Sequence, residues 1–249
     1  MGTRAVLTYH SIDDSGSVLS VSPARFQQHV EWMVRSGVAV RALDAMLSPD
    51  SRNQDNELAI TFDDGYLNVA ERAAPLLREH KLPATVFVVS GRAGRDNGWE
   101  RARGSHIPVL PLLDWDALGR LSESGVQIGA HSRTHPHLPR LPDTAIEDEL
   151  SGCADEIERR IGKRPTALAY PYGSTDARVA GIARRIFSVA VTTRFRTLTA
   201  FDDRLLVPRL DAWYFRAPGL LESWGSTSFQ LQVLLRDSVR RVRRLVRPD

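Results

Sequence analysis

Two adjacent aspartates, Asp63 and Asp64, come shortly after the run at 57–60, whose three apolar residues after Glu57 are typical of a buried strand. Neighbouring side chains of a regular strand point to opposite faces, so the two carboxylates can meet only if the strand ends there. Gly65 permits such an end because glycine adopts almost any backbone conformation. Paired carboxylates in one site indicate a bound metal ion, a shared proton, or both. The alternative is a structural strand end at which Asp64 caps a helix that begins at Tyr66.

Two histidines, His131 and His135, follow the apolar run at 126–130. Their spacing predicts that both imidazoles lie on one face of a helical turn, where they can share a cation. With one carboxylate of the aspartate pair they form a ligand set that leaves positions open for water and substrate, as catalytic metal sites do. Zinc suits these ligands best, and cobalt or nickel would also fit them. His137 is predicted to lie outside the ligand set.

The elements that must position these residues alternate along the chain. Strand-like runs at 5–9, 38–40, 57–60, 84–89, 126–130, 166–170, 187–192 and 205–207 are separated by helical patterns or loops. This alternation predicts an α/β fold, a parallel barrel rather than a sandwich. Several runs end in a polar residue, as at His10, Asp63, His131 and Arg209, and barrel enzymes place their active sites at that end.

A long irregular insertion at 91–113 contains Trp99 and His106 and is rich in glycine, arginine and proline. A loop of this length in a compact domain is typically a lid or a wall of the substrate site.

The basic residues are concentrated at the C-terminus. The chain has 249 residues and a formal charge of +3, whereas residues 236–249 alone contain six arginines and two aspartates. The remainder is therefore close to neutral, which argues against nucleic acid as a partner. We predict a catalytic domain at 1–228 and a basic amphipathic helix at 229–249. That helix could pack on the domain with solvated arginines, or lie on an anionic membrane surface.

Cysteine content and hydropathy indicate a compartment. Cys153 is the single cysteine, which excludes a disulfide framework and fits a reducing environment; its neighbours predict a core position. The chain offers no apolar run long enough to cross a bilayer, and a strand-like run begins by Arg4, where a signal peptide would lie. We therefore expect a cytoplasmic protein, with the inner face of the membrane as its possible site of contact.

Further motifs complete a pattern. After Thr61-Phe62-Asp63-Asp64-Gly65, the chain carries His131-Ser132-Arg133-Thr134-His135 and then Tyr170-Pro171-Tyr172-Gly173. In order and spacing these motifs resemble the polysaccharide deacetylase family (NodB-like, carbohydrate esterase 4), and the likeness covers roughly residues 4–211. Leu7-Thr8-Tyr9-His10 is similar to the branch that deacetylates poly-N-acetylglucosamine. The resemblance implies a distorted (β/α) barrel and metal-dependent removal of an N-acetyl group from an amino sugar.

The resemblance also implies roles for individual residues. Asp64, His131 and His135 would hold the metal, and Asp63 would be the base that takes a proton from the attacking water. The backbone N–H of Tyr172 would help to stabilise the oxyanion. Three aromatic residues are predicted to bind substrate: Tyr172, Trp99 and Trp213.

Two departures from the family pattern shift other roles. Ala169 stands where the family has an arginine, and the late Leu-x-His motif is missing, since the histidines lie at 10, 29, 80, 106, 131, 135 and 137. We predict that His10, at a strand end, supplies the general acid. Arg209 is the candidate to replace the missing arginine beside Asp63; the alternative for it is a surface ion pair.

The predicted function is therefore a metal-dependent hydrolase that deacetylates an N-acetylated sugar in a polysaccharide or a glycan precursor. One rival is the same chemistry, or deformylation, on a small or lipid-linked amino sugar. From other classes, the rivals are a carbohydrate-binding module without catalysis and a non-haem iron oxygenase, which uses the same ligand set on a β-sandwich.

Overall fold

Eight parallel strands form one curled sheet in the computed structural model, which describes residues 2–48, 56–102 and 106–246. In chain order the strands are β1 Arg4–Tyr9, β2 Ser11–Ile12, β3 Ser20–Val21, β4 Ala39–Val40, β5 Glu57–Phe62, β6 Ala84–Val88, β7 Gln127–Ala130, β8 Ala167–Ala169, β9 Val189–Val191 and β10 Leu210–Asp211. The sheet order is β10-β1-β5-β6-β7-β8-β9, with β4 paired to β5, while β2 and β3 form a separate parallel pair.

Eight α-helices surround this sheet in the described residues. They are α1 Pro23–Arg35, α2 Leu43–Met46, α3 Ala74–Glu79, α4 Trp99–Ala102, α5 Trp115–Glu123, α6 Asp143–Ile161, α7 Ala177–Ala183 and α8 Thr227–Val246. A π-helical turn at Val69–Ala73 leads into α3, and short 3₁₀ turns occupy Ser90–Arg92, Leu138–Arg140, Pro171–Gly173 and Ala212–Phe215. Side-chain caps from Ser22, Asp114 and Asp176 begin α1, α5 and α7, as these residue types favour.

The two edges of the sheet are joined by residues 205–211. Val207 forms an isolated parallel bridge with Val191, and Leu210 in β10 pairs with Leu7 in β1. The sheet therefore curls into a distorted barrel, which confirms the predicted fold class. The predicted strand at 205–207 is wrong in extent: Leu205 lies in a turn, and the regular pairing with β1 begins only at Leu210.

The side chains of the strands alternate between two apolar clusters. One cluster combines one or two residues from each of five strands with Leu43 and Met46 of α2 and with Val207; its strand residues include Val6, Ala59, Phe87 and Val191. The other contains their strand neighbours, such as Leu58 and Ile60, packed against the surrounding helices. The first cluster is therefore the barrel interior, and in β1 and β5 the residues that follow Val6 and Ala59 at intervals of two are polar residues of the site.

Cys153 of α6 is fully buried, which confirms its predicted core position. Burial raises the pKa of its thiol to about 11, so the thiol stays protonated and unreactive near neutral pH.

One face of α8 packs on the barrel. Phe229 and Val233 are buried in the core, and Gln230 donates a hydrogen bond of 2.8 Å to the hydroxyl of Thr3. Arg240 donates to the hydroxyl of Tyr214 and to the carbonyl of Thr193, each at 3.2 Å. In the part of the chain that the structure describes, no helix is both long enough and apolar enough to span a bilayer.

His29 is a buried histidine of α1 that the structure holds neutral. Its Nε2 donates to the carbonyl of Phe215 at 3.0 Å, so its Nδ1 accepts from the hydroxyl of Tyr9 at 2.9 Å. Burial lowers the pKa of His29 from 6.5 to about 4, a shift that the hydrogen bond to Phe215 only partly opposes.

This buried histidine predicts an acid-sensitive fold. Because the pKa of His29 is lower in the folded than in the unfolded chain, its contribution to stability is complete above pH 6.5 and is lost as the pH falls towards 4. We expect that, between about pH 7.5 and 5, the wild type loses about 2 kcal/mol more of its free energy of unfolding than His29→Gln does. Urea unfolding at both pH values measures this difference, and parallel losses in the two proteins would contradict it.

Candidate active site

The C-terminal ends of β1 and β5 bring His10 and Asp63 together. Val6 and Ala59 lie in the barrel interior, and continuing each strand in steps of two leads through Thr8 to His10 and through Thr61 to Asp63. His10 Nε2 lies 3.8 Å from Asp63 Oδ2. Parallel pairing of the strands, with Tyr9 opposite Phe62, therefore places both residues at one rim of the barrel.

A left-handed turn carries Asp64 to the same rim. Asp64 has a φ of 68° and Gly65 one of 75°, so the strand ends as the sequence required. A side chain at position 65 would also crowd Val88, since a Cβ would lie 3.2 Å from its Cγ1. The two carboxylates thus converge, and Asp64 faces two histidines instead of capping the following helix; that alternative is wrong.

Asp64, His131 and His135 form one buried cluster. Asp64 Oδ1 lies 3.4 Å from His131 Nε2 and 3.5 Å from His135 Nε2. The His131 Nδ1–H donates to the carbonyl of Ala169 at 2.7 Å, which leaves its Nε2 as the lone-pair nitrogen that faces the cluster. Within the described ranges this is the one group whose potential ligand atoms all lie close together, within 4.8 Å of one another.

The spacing of these atoms fits a metal ion. In a tetrahedral zinc site with bonds of about 2.0–2.1 Å, neighbouring ligand atoms lie about 3.3 Å apart. The two separations from Asp64 Oδ1 to the imidazole nitrogens, 3.4 and 3.5 Å, are close to this value, and all three ligand atoms lie within 4.8 Å of one another. Two neutral imidazoles and one carboxylate are also a donor set of zinc enzymes that leaves a coordination position open.

The histidine-bearing segment is a loop, so the predicted helical turn is wrong. Ser132 and His135 have positive φ values, 62° and 64°, and the Ser132 hydroxyl accepts a hydrogen bond from the His135 N–H at 3.0 Å. Glu149 of α6 accepts from the backbone N–H groups of Arg133 and Thr134, both at 2.9 Å. These hydrogen bonds, rather than a helix, bring the two imidazoles onto one side of the loop.

Arg209 lies beside Asp63, where the sequence predicted it. Its Nη1 lies 2.7 Å from Asp63 Oδ1 and its Nη2 lies 2.6 Å from Oδ2, so the pair is bidentate. Arg209 is 1% exposed and Asp63 2%, which is not the surface ion pair considered as the alternative. Its guanidinium also donates to the carbonyl of Thr192 and to the hydroxyls of Thr8 and Thr61.

The ion pair determines the protonation state of Asp63. Burial alone would raise the pKa of Asp63, but the charge and hydrogen bonds of Arg209 outweigh it and hold this pKa far below its usual range. Asp63 is therefore ionised at neutral pH. Each carboxylate oxygen has a second lone pair, so Asp63 can still accept a further hydrogen bond or a proton.

The three residues of the cluster around Asp64 also have shifted pKa values. Burial would raise the pKa of Asp64, but the hydrogen bond and charges of the two histidines lower it. Burial lowers the pKa of His135 to about 3, and the neighbouring His131 adds to that shift. In His131 the hydrogen bond to Asp64 and the aspartate charges outweigh burial and raise the pKa. An ionised carboxylate and a neutral imidazole are the forms that bind a metal, so Asp64 and His135 already favour the binding form, whereas His131 would release a proton when an ion binds.

Tyr172 borders the cluster in an unusual backbone conformation. Its φ is 59°, in the 3₁₀ turn Pro171–Gly173, and its ring lies 4.4 Å from that of His135 and 4.2 Å from that of His137. Glycine is required next to it, because a Cβ at Gly173 would collide with Thr193. His137 thus lies outside the cluster, as predicted, and stacks on Tyr172.

The two predicted tryptophans lie at the same rim. Trp99 of α4 stacks on His135 with ring centroids 4.8 Å apart, and the insertion that carries it forms antiparallel bridges, including Tyr66 with Leu112. Trp213 follows β10, and the Arg216 guanidinium lies 4.1 Å above its ring. The indole N–H groups of both tryptophans are buried and have no acceptor among the described residues.

Backbone strain is concentrated at this rim. Five non-glycine residues of the described chain have positive φ, and four of them belong to the site: Asp64, Ser132, His135 and Tyr172. Such conformations cost free energy and cluster where function requires a particular geometry.

Several residues that position the site were not predicted from the sequence. Thr8 and Thr61 could have been found from strand alternation, because each precedes a site residue by two positions. Glu149 and the carbonyl of Thr192 act from distant segments, and nothing in the local sequence marks them.

Comparisons with known proteins agree with this geometry. The sequence profile of the polysaccharide deacetylase family matches residues 50–187, more than half of the chain. The chain is 24% identical over 192 residues to a Bacillus subtilis protein provisionally named polysaccharide deacetylase YxkH, covering 76% of this chain and 63% of that protein. It is 21% identical over 206 residues to the poly-beta-1,6-N-acetyl-D-glucosamine N-deacetylase of Staphylococcus aureus, covering 77% and 67%. The chain thus spans about two thirds of the length of these relatives.

The fold is also similar to a solved structure. The deacetylase PplD of Streptococcus pyogenes, in complex with acetate, superposes with a TM-score of 0.74 at 21% identity, covering 93% of this chain and 97% of that one. At this identity the likeness shows the fold. The profile match includes the aspartate pair, both histidines and Tyr172, whereas His10 and Arg209 lie outside it. By that match, the chain belongs to the polysaccharide deacetylase family.

Proposed function

We propose that this protein is a metal-dependent hydrolase that removes the N-acetyl group from an amino sugar and releases acetate. The observation that carries the proposal is the buried Asp63, held ionised by Arg209 at one rim with the cluster of Asp64, His131 and His135. A base, a metal-ligand set and a histidine 3.8 Å from the base are the groups that amide hydrolysis needs. The β-sandwich of the oxygenase alternative is incompatible with the parallel barrel.

Asp64, His131 and His135 would hold the ion, for which we propose zinc, with cobalt or nickel as chemically similar choices. A divalent ion in this place supplies Lewis acidity, which polarises an amide carbonyl and acidifies water. Asp63 is ionised, so it can take the proton of the attacking water, and Arg209 fixes the orientation of its carboxylate. The left-handed backbone of Tyr172 is the proposed site of an oxyanion donor.

His10 would then deliver a proton to the leaving nitrogen. An amine is too basic to leave as an anion, so an acid must protonate it. His10 lies at the rim beside Asp63 and keeps a side-chain exposure of 17%, so a substrate can reach it. Burial raises the pKa of Asp211, and the charge of His10 partly opposes that shift.

The substrate class rests on the relatives and the aromatic rim. The Staphylococcus aureus relative is named for poly-beta-1,6-N-acetyl-D-glucosamine, and we propose an N-acetylated glycan of this kind for the present chain. Trp99, Tyr172 and Trp213 would line its sugar rings. A small or lipid-linked amino sugar, carrying acetyl or formyl, is the second candidate. A binding module without catalysis is disfavoured because the base and all three ligands are assembled in one site.

The proposal is tested by measuring whether the protein releases an acyl group and whether this release requires a bound metal. The purified protein is incubated with oligomers of β-1,6-linked N-acetylglucosamine, with chitin oligomers and with lipid-linked N-acetyl and N-formyl sugars, and mass spectrometry follows the products. We expect acetate release that a chelator abolishes and added zinc restores. Elemental analysis should show tight metal in the wild type and its loss in His131→Ala, because an imidazole ligand is removed.

Two results would contradict this proposal. If His131→Ala retained the metal content of the wild type, the ligand assignment would be wrong. Binding of the oligomers without any acyl release from the metal-loaded protein would favour the carbohydrate-binding module.

A further inference from the structure

Helix α8 leaves a second apolar face uncovered. The described residues include seven exposed large hydrophobic side chains, and four of them lie on this helix: Leu231 (56%), Leu234 (62%), Leu235 (59%) and Val239 (53%). The other three, Val18, Val34 and Phe201, are spread over distant segments. A cluster of half-exposed leucines on one helix differs from scattered surface residues, which need no explanation.

The opposite face of the same helix already has its partner. Phe229 and Val233 are buried in the core, and the guanidinium groups of Arg236 and Arg240 lie 5.0 and 5.5 Å from the ring of Tyr214. At 100° per residue, these four positions share one side of α8, and the exposed leucines occupy the other. The exposed face is therefore a separate surface that points away from the barrel.

The charge of this segment selects the occupant. Arg236 and Arg240 lie on the inner face, but residues 241–249 contain four further arginines and a single aspartate. A second copy of the chain docked with its helix parallel to this one would bring two such basic segments together and repel. Anionic headgroups would instead neutralise them while the leucines enter the boundary between headgroups and acyl chains.

We propose that the exposed apolar face of α8, formed by Leu231, Leu234, Leu235 and Val239, docks on an anionic phospholipid surface. The helix would lie in the plane of the interface, with its inner face kept on the barrel by Phe229. This inference does not depend on the reaction that the site catalyses.

The path of α8 along the barrel gives this contact a direction. The helix begins near the bottom of β1, where Gln230 contacts Thr3, and reaches the rim at Thr193, which follows β9. Thr193 in turn donates through its hydroxyl to the carbonyl of Tyr172. A bilayer on the outer face of α8 would thus lie about one helix diameter, ~10 Å, from the rim of the active site.

Vesicle sedimentation with the full chain tests the proposal. The vesicles contain phosphatidylcholine and phosphatidylglycerol in equal parts, or phosphatidylcholine alone. We expect binding to the anionic vesicles, weakened by added salt, and a loss of more than tenfold in the triple variant Leu231→Gln, Leu234→Gln, Leu235→Gln. Glutamine is a good helix former and these positions are exposed, so the variant should keep the fold. The matched control, Val18→Gln with Val34→Gln, removes exposed apolar residues elsewhere and should bind like the wild type.

The other outcomes overturn the proposal. If the wild type bound neither kind of vesicle, or if the triple variant bound the anionic vesicles as well as the wild type does, this face would be excluded as a lipid surface. Concentration-dependent dimers in analytical ultracentrifugation that the triple variant abolishes, without vesicle binding, would identify a second copy as the occupant. Circular dichroism and the thermal midpoint of each variant establish that a loss of binding is not a loss of folding.

Discussion

Replacing Arg209 with methionine is expected to lower the free energy of unfolding by about 3–5 kcal/mol, because it leaves the carboxylate of Asp63 buried without its counter-charge. The pKa of Asp63 should rise in this variant, since the group that now holds it low is removed. Activity should fall as well, because a protonated Asp63 cannot act as a base. Urea unfolding at neutral pH measures the stability change.

A second substitution separates the charge from the packing. In the double variant Arg209→Met, Asp63→Asn the buried carboxylate is gone, so we expect stability to recover most of the loss while activity stays absent. Arg184→Met is the matched control: it breaks an ion pair with Asp203 at the surface, where we expect a change below about 1 kcal/mol. If Arg209→Met were as stable as this control, the buried pair would not be the stabilising element described above.

Replacing His10 with alanine is expected to lower kcat by about 10²–10⁴, the usual contribution of a general acid. His10 belongs neither to the metal-ligand cluster nor to the hydrogen bonds of Arg209, so the metal content and the free energy of unfolding should stay close to those of the wild type. Single-turnover rates on the best substrate of the panel, with elemental analysis of the same sample, make the measurement.

His80→Ala serves as its control. His80 follows α3 and lies shortly before the start of β6, so it is at the N-terminal ends of the strands, opposite the rim. Its loss should leave turnover unchanged. Near wild-type turnover in His10→Ala would remove His10 from the mechanism. A fall in metal content together with activity would instead give it a structural role in the metal site.

The parts of the site that local sequence encodes were predictable. The strand end at Asp63, the pair of His131 and His135, and the placement of Arg209 beside Asp63 follow from apolar runs that stop at polar residues and from the family motifs. The rule that parallel strands deliver their ends to one rim was then enough to bring these residues together.

What failed depends on contacts between distant segments. The segment that carries His131 and His135 is a loop with positive φ at Ser132 and His135, where a helical turn was expected, because Glu149, in another element, accepts hydrogen bonds from its backbone N–H groups. The last strand is shorter than its apolar run, since Leu205 faces the core from a turn and only later residues reach β1. Glu149 lies outside the histidine loop and β1 lies outside the last strand, so neither segment's own sequence shows the contact that determines its conformation.

The pairing of Asp63 with Arg209 also has a consequence for how the protein is made. The two residues are 146 positions apart, so at about 5–20 residues per second a ribosome produces the aspartate roughly 7–30 s before the arginine. Throughout that interval a nascent chain cannot bury the carboxylate without a heavy cost, and the end of β5 must stay hydrated. The emergence of residues 205–211 then closes the barrel and supplies the missing cation in a single step. The proposed catalytic base consequently reaches its final environment only late in synthesis, and a chain that stalls before position 209 is released without the Asp63–Arg209 pair.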